Sequence, residues 1–376
     1  MKVQVAPRAG GRSVPGAAGR GTQTFLARHQ RRLLQLGALL VLVVGSLLLY
    51  RGGFSGQLVT QMLVFAIAAM GVDFLGGYGG LVSLGQASFL GLGAYGVAVS
   101  MNKGAGPWTA VGISLVVTLV VALVAGLLAV RVSGIGFVIM TLALGQILFG
   151  LSSSWIAVSG GDNGLIIPSN PVLGPLDLNN PRQLSFVVLA VFVLSGLVLR
   201  TFVSSPFGLA LRGIKSNEQR LKTLGYTTRL HRYVGYVISV FFGGLAGILY
   251  VFTNGLVTPT ALDFGHNGII TLMAVVGGLG TLWGAALGSV IILMFQQYVS
   301  IYVERWATLM GALFVVIVIF APEGVWGIGT KFARRLSHQS ARLPASGIAM
   351  SLPSGEQGAD AAAIATPEPV AAKVKG

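Results

Sequence analysis

Between residues 33 and 322 the chain is cut into apolar runs separated by short polar segments. The runs fall at about 33–50, 57–75, 80–102, 107–130, 134–155, 184–203, 233–253, 267–299 and 306–322. Most approach the roughly 20 residues that a helix needs to cross the hydrocarbon of a bilayer. Only helices and closed barrels satisfy their backbone hydrogen bonds inside lipid, and runs of this length read as helices. The composition agrees: charged residues make up 9% of the chain and mean hydropathy is +0.81, against about 25% charged in soluble domains. The expected fold is therefore an all-α membrane protein, a polytopic helical bundle of 8 to 10 transmembrane helices. The run at 267–299 is too long for one span and is interrupted by glycines, so it reads as two short spans or a broken hairpin.

The net charge of +15 does not indicate nucleic acid, because the bases sit in short segments between apolar runs rather than on one face of a soluble fold. They set orientation instead. With the N-terminus in the cytoplasm, 19 bases fall on the cytoplasmic side, including Arg131, the set from Arg200 to Arg232, and Lys331, Arg334, Arg335 and Arg342. Four fall outside: Arg51, Lys103, Arg182 and Arg305. The reverse arrangement inverts this ratio and violates the positive-inside rule. Both termini are then cytoplasmic. Residues 1–32 hold seven bases and no acid and read as a disordered tail. Residues 33–330 form the transmembrane region, and 331–376 an Ala/Pro/Ser-rich disordered tail. No small-x-small cleavage site follows the first run, which reads as an uncleaved span.

Several chemistries drop out. There are no cysteines, and the four histidines, His29, His231, His266 and His338, have no metal-ligand spacing. No Gly-Lys-Ser/Thr phosphate loop and no catalytic dyad is visible. Gly91-x-Gly93-x-x-Gly96 matches a dinucleotide fingerprint, but no strand precedes it and no acidic residue follows at the required spacing. Gly77-Tyr78-Gly79 lacks the Thr-Val of a potassium filter, since Leu75-Gly76 stands there. No catalytic residue, metal or cofactor is expected.

Three segments carry candidate function. The first is Gly76-Gly77-Tyr78-Gly79-Gly80-Leu81-Val82-Ser83-Leu84-Gly85-Gln86-Ala87-Ser88-Phe89. Glycine at this density breaks a helix, at roughly 1 kcal/mol each relative to alanine. Exposed backbone at membrane depth is tolerated only against protein or a water-filled path. Ser83, Gln86 and Ser88 add hydrogen-bonding side chains, so the segment reads as lining a solute path or as a close helix contact. The second is Gly277-Gly278-Leu279-Gly280-Thr281. Each half of the chain thus carries one glycine-broken apolar segment, a pattern that points to a midplane site. Asp73, Thr141, Gln146, Gly278 and Thr281 complete the candidate path; a charged Asp73 buried in a span is costly.

The third segment, 206–226, lies on the cytoplasmic side. Leu211, Ile214, Leu221 and Leu224 share one face of a helix, Glu218 and Lys222 make an i,i+4 pair, and Gly225 is placed as a C-cap. Such a helix either docks into a partner's groove or rests on lipid headgroups; on physics alone the two readings balance.

In this order the segments resemble the permeases of branched-chain amino acid ABC importers, the LivM-like branch. The resemblance rests on Gly77-Tyr78-Gly79-Gly80-Leu81-Val82-Ser83-Leu84-Gly85-Gln86-Ala87-Ser88-Phe89, Gly93-Ala94-Tyr95, Gly160-Gly161-Asp162-Asn163-Gly164-Leu165, the stretch from Asn217-Glu218 to Leu224-Gly225-Tyr226, Gly277-Gly278-Leu279-Gly280-Thr281, and Ala321-Pro322-Glu323-Gly324. It covers about 55–328. The family often has His in place of Gln86 and Asn in place of Asp73. The resemblance implies a bacterial inner-membrane multi-pass subunit that pairs with a second, homologous permease. It also implies two cytoplasmic ATP-binding subunits, and a periplasmic or lipoprotein solute-binding protein that delivers leucine, isoleucine, valine or a related compound. The coupling loop, 204–230, would carry Asn217, Glu218 and Gly225 against the ATPase, which turns the balanced reading toward docking. Urea and short-amide permeases share most of these motifs. From other classes, a stand-alone channel and a membrane-bound enzyme or scaffold are the alternatives.

Overall fold

The structure, a computed structural model, describes residues 56–168, 170–173, 176–303, 305–320 and 324–327. The expected first span at 33–50, both tails and Ala321-Pro322-Glu323 lie outside the described residues. Within them the chain is almost wholly helical. Its helices are α1 Gly56–Asp73, α2 Gln86–Asn102, α3 Pro107–Ala129, α4 Ile135–Ser154, α5 Ile156–Ser159, α6 Pro181–Ser204, α7 Pro206–Thr223, α8 Thr228–Asn254, α9 Phe264–Gly277, α10 Leu282–Tyr302 and α11 Trp306–Phe320. Two minimal antiparallel pairs accompany them: β1 Leu165–Ile166 with β4 Leu256–Val257, and β2 Val172–Leu173 with β3 Leu176–Asp177.

Among the described residues, six helices are long and apolar enough to cross a membrane: α1 with its continuation to Tyr78, α3, α4, α6, α8 and α10. The apolar run at 267–299 is two helices, α9 and α10, packed on each other around a break at 278–281. At 14 residues, α9 reaches about 21 Å, short of a ~30 Å hydrocarbon core.

α1 and α8 form the centre of the bundle, whereas α4 is peripheral; 89% of the α1 window is buried against 17% of that of α4. The interior is joined as membrane helices are, by small residues that admit close backbone approach and by hydroxyls that reach neighbouring carbonyls. A Cβ at Gly93 would strike the carbonyl of Gly244, and one at Gly247 the carbonyl of Leu90, so α2 and α8 meet backbone to backbone. Ser114 donates to the Gly93 carbonyl at 2.6 Å, Ser239 to Gly71 at 2.7 Å and Ser289 to Met62 at 3.1 Å.

Polar contacts mark the two ends. At one end Gln61 donates to Asn254 at 2.7 Å, Asn102 to the Ile166 carbonyl at 3.0 Å, and β1 pairs with β4. At the other end lie α7 and its bases, where Arg232 donates to the Val132 carbonyl at 2.6 Å. This second, basic end is the one that the charge distribution assigns to the cytoplasm.

Candidate functional site

The site is built on the first glycine break, at the basic end. α1 is regular to Asp73 and then widens into a π-helical turn, Phe74–Tyr78. Gly80, at φ +69°, turns the chain out of the helix into the non-helical stretch 81–85, which carries it to the start of α2. π-turns inside helices frequently accompany functional sites.

α7 holds this turn. Lys215 donates from Nζ to the Gly77 carbonyl at 2.7 Å, its stem packs against Gly80, and the Arg212 guanidinium lies 5.0 Å from the centre of the Tyr78 ring. From the opposite side, Asp73 accepts the backbone N–H of Gly280 at the second break. There Gly278 and Gly280 take φ of +110° and +91°, and a Cβ at Gly77 would strike the backbone of Gly280. The two glycine breaks are therefore in direct contact, next to α7. Thr281 closes the second break by donating to the Gly278 carbonyl at 2.6 Å. The second carboxylate oxygen of Asp73 is buried without a hydrogen-bond partner among the described residues.

The far side of the first break rests on α4. The Leu84 N–H donates to Thr141 Oγ1 at 3.2 Å, Gly85 N–H to Ser83 Oγ at 3.3 Å, and Gly145 packs on Ser88. Gln86 donates to the Ser239 carbonyl at 2.9 Å, and the Ala87 N–H at the start of α2 donates to Asn267 Oδ1 at 2.7 Å. Asp73, Ser83, Gln86, Ser88 and Thr141 are all buried, so in this conformation they face protein. Of the candidate path side chains, Gln146 on α4 is exposed. Asn267, which sequence reasoning passed over, is the interior side chain that joins α9 to α2. Its only signal was a polar residue inside an apolar run.

The stretch 206–226 departs from its expected geometry. Asn217, at φ −163° and ψ 101°, divides α7 into two helical segments. Its side chain caps the second by accepting the Arg220 N–H at 3.0 Å, as Asn does at helix starts. The apolar stripe is accordingly split. Leu211 and Ile214 are buried, Leu211 against the Gly79 and Gly235 backbones. Leu221 folds over Gly213, and Leu224 is exposed. The first half of the stripe thus docks on this chain's own bundle, not on a partner. Leu224, Tyr226 and Leu230 form the exposed apolar surface beyond it. Gly225, at φ +83°, ends α7 as expected, with Tyr226 N–H donating to the Leu221 carbonyl at 3.1 Å and Gly225 N–H to that of Lys222 at 3.0 Å.

Glu218 is the electrostatic centre of this surface. It pairs with Lys222 at 3.0 Å and Arg232 at 3.6 Å and accepts from Thr228 at 3.2 Å. Partial burial raises its pKa, but the hydrogen bond from Lys222 and the charge of Arg232 outweigh it, so the carboxyl lies below its ordinary value. Among the described residues no group of three or more His, Cys, Asp or Glu could hold a metal ion. The arrangement suits mechanical transmission between α7, the two breaks and α4.

Residues 54–321 match the family described as branched-chain amino acid transport system / permease component. The chain is 24% identical to the high-affinity branched-chain amino acid transport system permease protein LivM of Salmonella typhimurium, over 79% of this chain and 75% of that one. It is 25% identical to the protein of the same name from Escherichia coli, over 78% and 75%. A shorter stretch, 35% of this chain and 40% of the relative, is 34% identical to the guanosine ABC transporter permease protein NupQ of Bacillus subtilis. No solved structure matches the chain.

Proposed function

We infer the role of this chain from its membership: it belongs to the branched-chain amino acid transport system permease components, and it acts as the membrane permease of an ABC importer for leucine, isoleucine, valine or a related aliphatic amino acid. Its working form is a multi-pass protein of 8 to 10 spans in the bacterial inner membrane. It pairs with a second, homologous permease, carries two ATP-binding subunits on the basic end, and takes solute from a binding protein at the other end.

The observation that carries this reading is the hydrogen bond from Lys215 to the Gly77 carbonyl. ATPase subunits that close on ATP pull on the 204–230 loop, through Asn217, Glu218, Leu221, Leu224 and Gly225, with Leu211 and Ile214 as its anchor in the bundle. Lys215 passes the displacement to the first break, Asp73 passes it to Gly278–Thr281, and Thr141 passes it to α4. The solute route runs between α4 and the second permease. Gln146 supports this placement, because an amide on a lipid-facing surface is costly, while a water-filled route or a protein partner satisfies it. Ser83, Gln86, Ser88 and Thr281 line the route as the breaks open.

The test is uptake into proteoliposomes that hold the complete transporter. Labelled leucine is expected to enter only with ATP and the binding protein. Uptake of urea or guanosine in place of leucine refutes the substrate, and current without ATP refutes the importer.

A further inference from the structure

Away from the basic end, α4 stands apart from α2 and α3 and leaves a cavity of about 530 Å³ between them, within the size range of small-molecule sites. Its walls are aliphatic: Leu92, Val99, Ile113, Val117, Leu148 and Leu262. The serine hydroxyls that reach it are committed as donors to their own helix. Ser100 donates to the Gly96 carbonyl at 2.7 Å, Ser152 to Phe149 at 2.8 Å and Ser159 to Trp155 at 2.9 Å. Tyr95 also lines the cavity; it is 7% exposed, and its hydroxyl has no hydrogen-bond partner among the described residues.

Two charges stand at this end. Lys103 lines the cavity and is exposed, and it makes no ion pair among the described residues. The carboxylate of Asp162 is also exposed and similarly unpaired; it sits on the 160–164 turn, which follows the lining residues Val158 and Ser159 and is tied back to Ser159 Oγ by the Gly161 N–H. An apolar chamber with one cation and one anion beside it complements a molecule with an aliphatic body and a zwitterionic head.

Resting on the function proposed above, we propose that this cavity is the entry site for the substrate. It holds the side chain of a neutral aliphatic amino acid, with Lys103 meeting the α-carboxylate and Asp162 the α-ammonium. The same walls reject nucleosides, the cargo named for one relative. A nucleobase and ribose would bring several donors and acceptors into a chamber whose serine hydroxyls donate elsewhere; the Tyr95 hydroxyl and the two flanking charges are too few to pair them all, and leaving such groups unpaired costs binding heavily.

The experiment uses the complete transporter in proteoliposomes with a diazirine-bearing leucine analogue as probe. Irradiation is expected to label peptides of α2 or α4 that contain Leu92, Leu148 or Leu151, with protection by excess leucine and none by guanosine. Leu148→Trp, which fills the chamber, is expected to lower both labelling and leucine uptake at least tenfold while ATP hydrolysis stimulated by the binding protein persists, which shows that the variant folds and assembles. Lys103→Gln and Asp162→Asn are expected to raise the KM for leucine at least threefold with the maximal rate retained. Label elsewhere in a transporter that takes up leucine, or unchanged uptake by Leu148→Trp, overturns the assignment and leaves the importer reading standing; a lipid chain in the chamber gives that result. A wild-type transporter that takes up no aliphatic amino acid sinks both.

Discussion

Asp73 and Gly280, 207 positions apart, are joined by a hydrogen bond from the glycine N–H to the carboxylate, and through it the two broken segments of the bundle act as one body. Asp73→Ala leaves that N–H without its acceptor. An unpaired buried group of this kind costs about 1–3 kcal/mol. The thermal midpoint of the purified protein is expected to fall by several degrees, while Asp73→Asn, which keeps an acceptor oxygen, recovers most of it. Equal melting of Asp73→Ala and the wild type removes the fastening from the mechanism.

Gly77 tests the same contact sterically. A Cβ there meets the Gly280 backbone, which has no flexible end to move aside, whereas one at Gly112 meets nothing within 4 Å. Gly77→Ala is expected to cost folded yield and uptake. Gly112→Ala is expected to be neutral or stabilising by up to about 1 kcal/mol, the difference in helix propensity. Matching loss in both variants, measured by fluorescence-detected size exclusion, argues against close approach at the breaks.

The sequence carried the location of both breaks but not their contact. Glycine density names a place where helix stops, and it does so locally; that Gly77 lies against Gly280 depends on how α1 and α9 pack. Gln86 looked like a route-lining group because amides are rare in apolar spans, yet an amide is equally able to bridge carbonyls of two neighbouring helices, as it does to Ser239. The stripe on α7 failed for a different reason. Leu211, Ile214, Leu221 and Leu224 align only on an unbroken helix, and Asn217, a good cap, ends one segment and starts the next. Charge patterning needed no such tertiary information, and two of the bases it placed on one side, Lys215 and Arg232, do reach the first break and the α3–α4 turn.

Glu218 sets a pH dependence for the surface it shares with Lys222, Thr228 and Arg232. Its folded pKa is depressed. Its contribution to stability is therefore complete above the ordinary carboxylate value of about 4.3 and is lost as pH falls through the lowered folded value. The difference in thermal midpoint between wild type and Glu218→Gln is expected to be constant from pH 5 to 8 and to vanish only in stronger acid. A difference that disappears near neutral pH removes the Glu218 carboxylate as the cause.

The proposed attachment surface, beyond the end of α7, is separate from the anchor within it. Leu224, Tyr226 and Leu230 are exposed, while Leu211 is fully buried. Leu224→Arg or Leu230→Arg is expected to abolish co-elution of the ATP-binding subunits with little change in the permease's own melting. Leu211→Ala is expected to cost about 2–5 kcal/mol of stability and to lose the ATPases only as the permease itself is lost. Co-elution that survives both arginine variants moves the docking surface off this end of α7.

The proposed placement of the solute route against α4 is open to direct labelling, because the chain contains no cysteine and every introduced thiol is read without background. Gln146 is exposed on α4 and Gln86 is fully buried under α8. A lipid-facing thiol is screened from a charged, water-soluble thiosulfonate by hydrocarbon and stays protonated there, while a thiol in a wet path ionises and reacts. In the complete transporter, Gln146→Cys is expected to react with such a reagent and to be protected by leucine with the binding protein. Gln86→Cys is expected to react slowly at rest and faster during ATP turnover, as the first break moves away from α8. If Gln146→Cys is inert to the charged reagent yet reacts with a membrane-permeant maleimide, that face of α4 borders lipid, and the route lies elsewhere in the assembly.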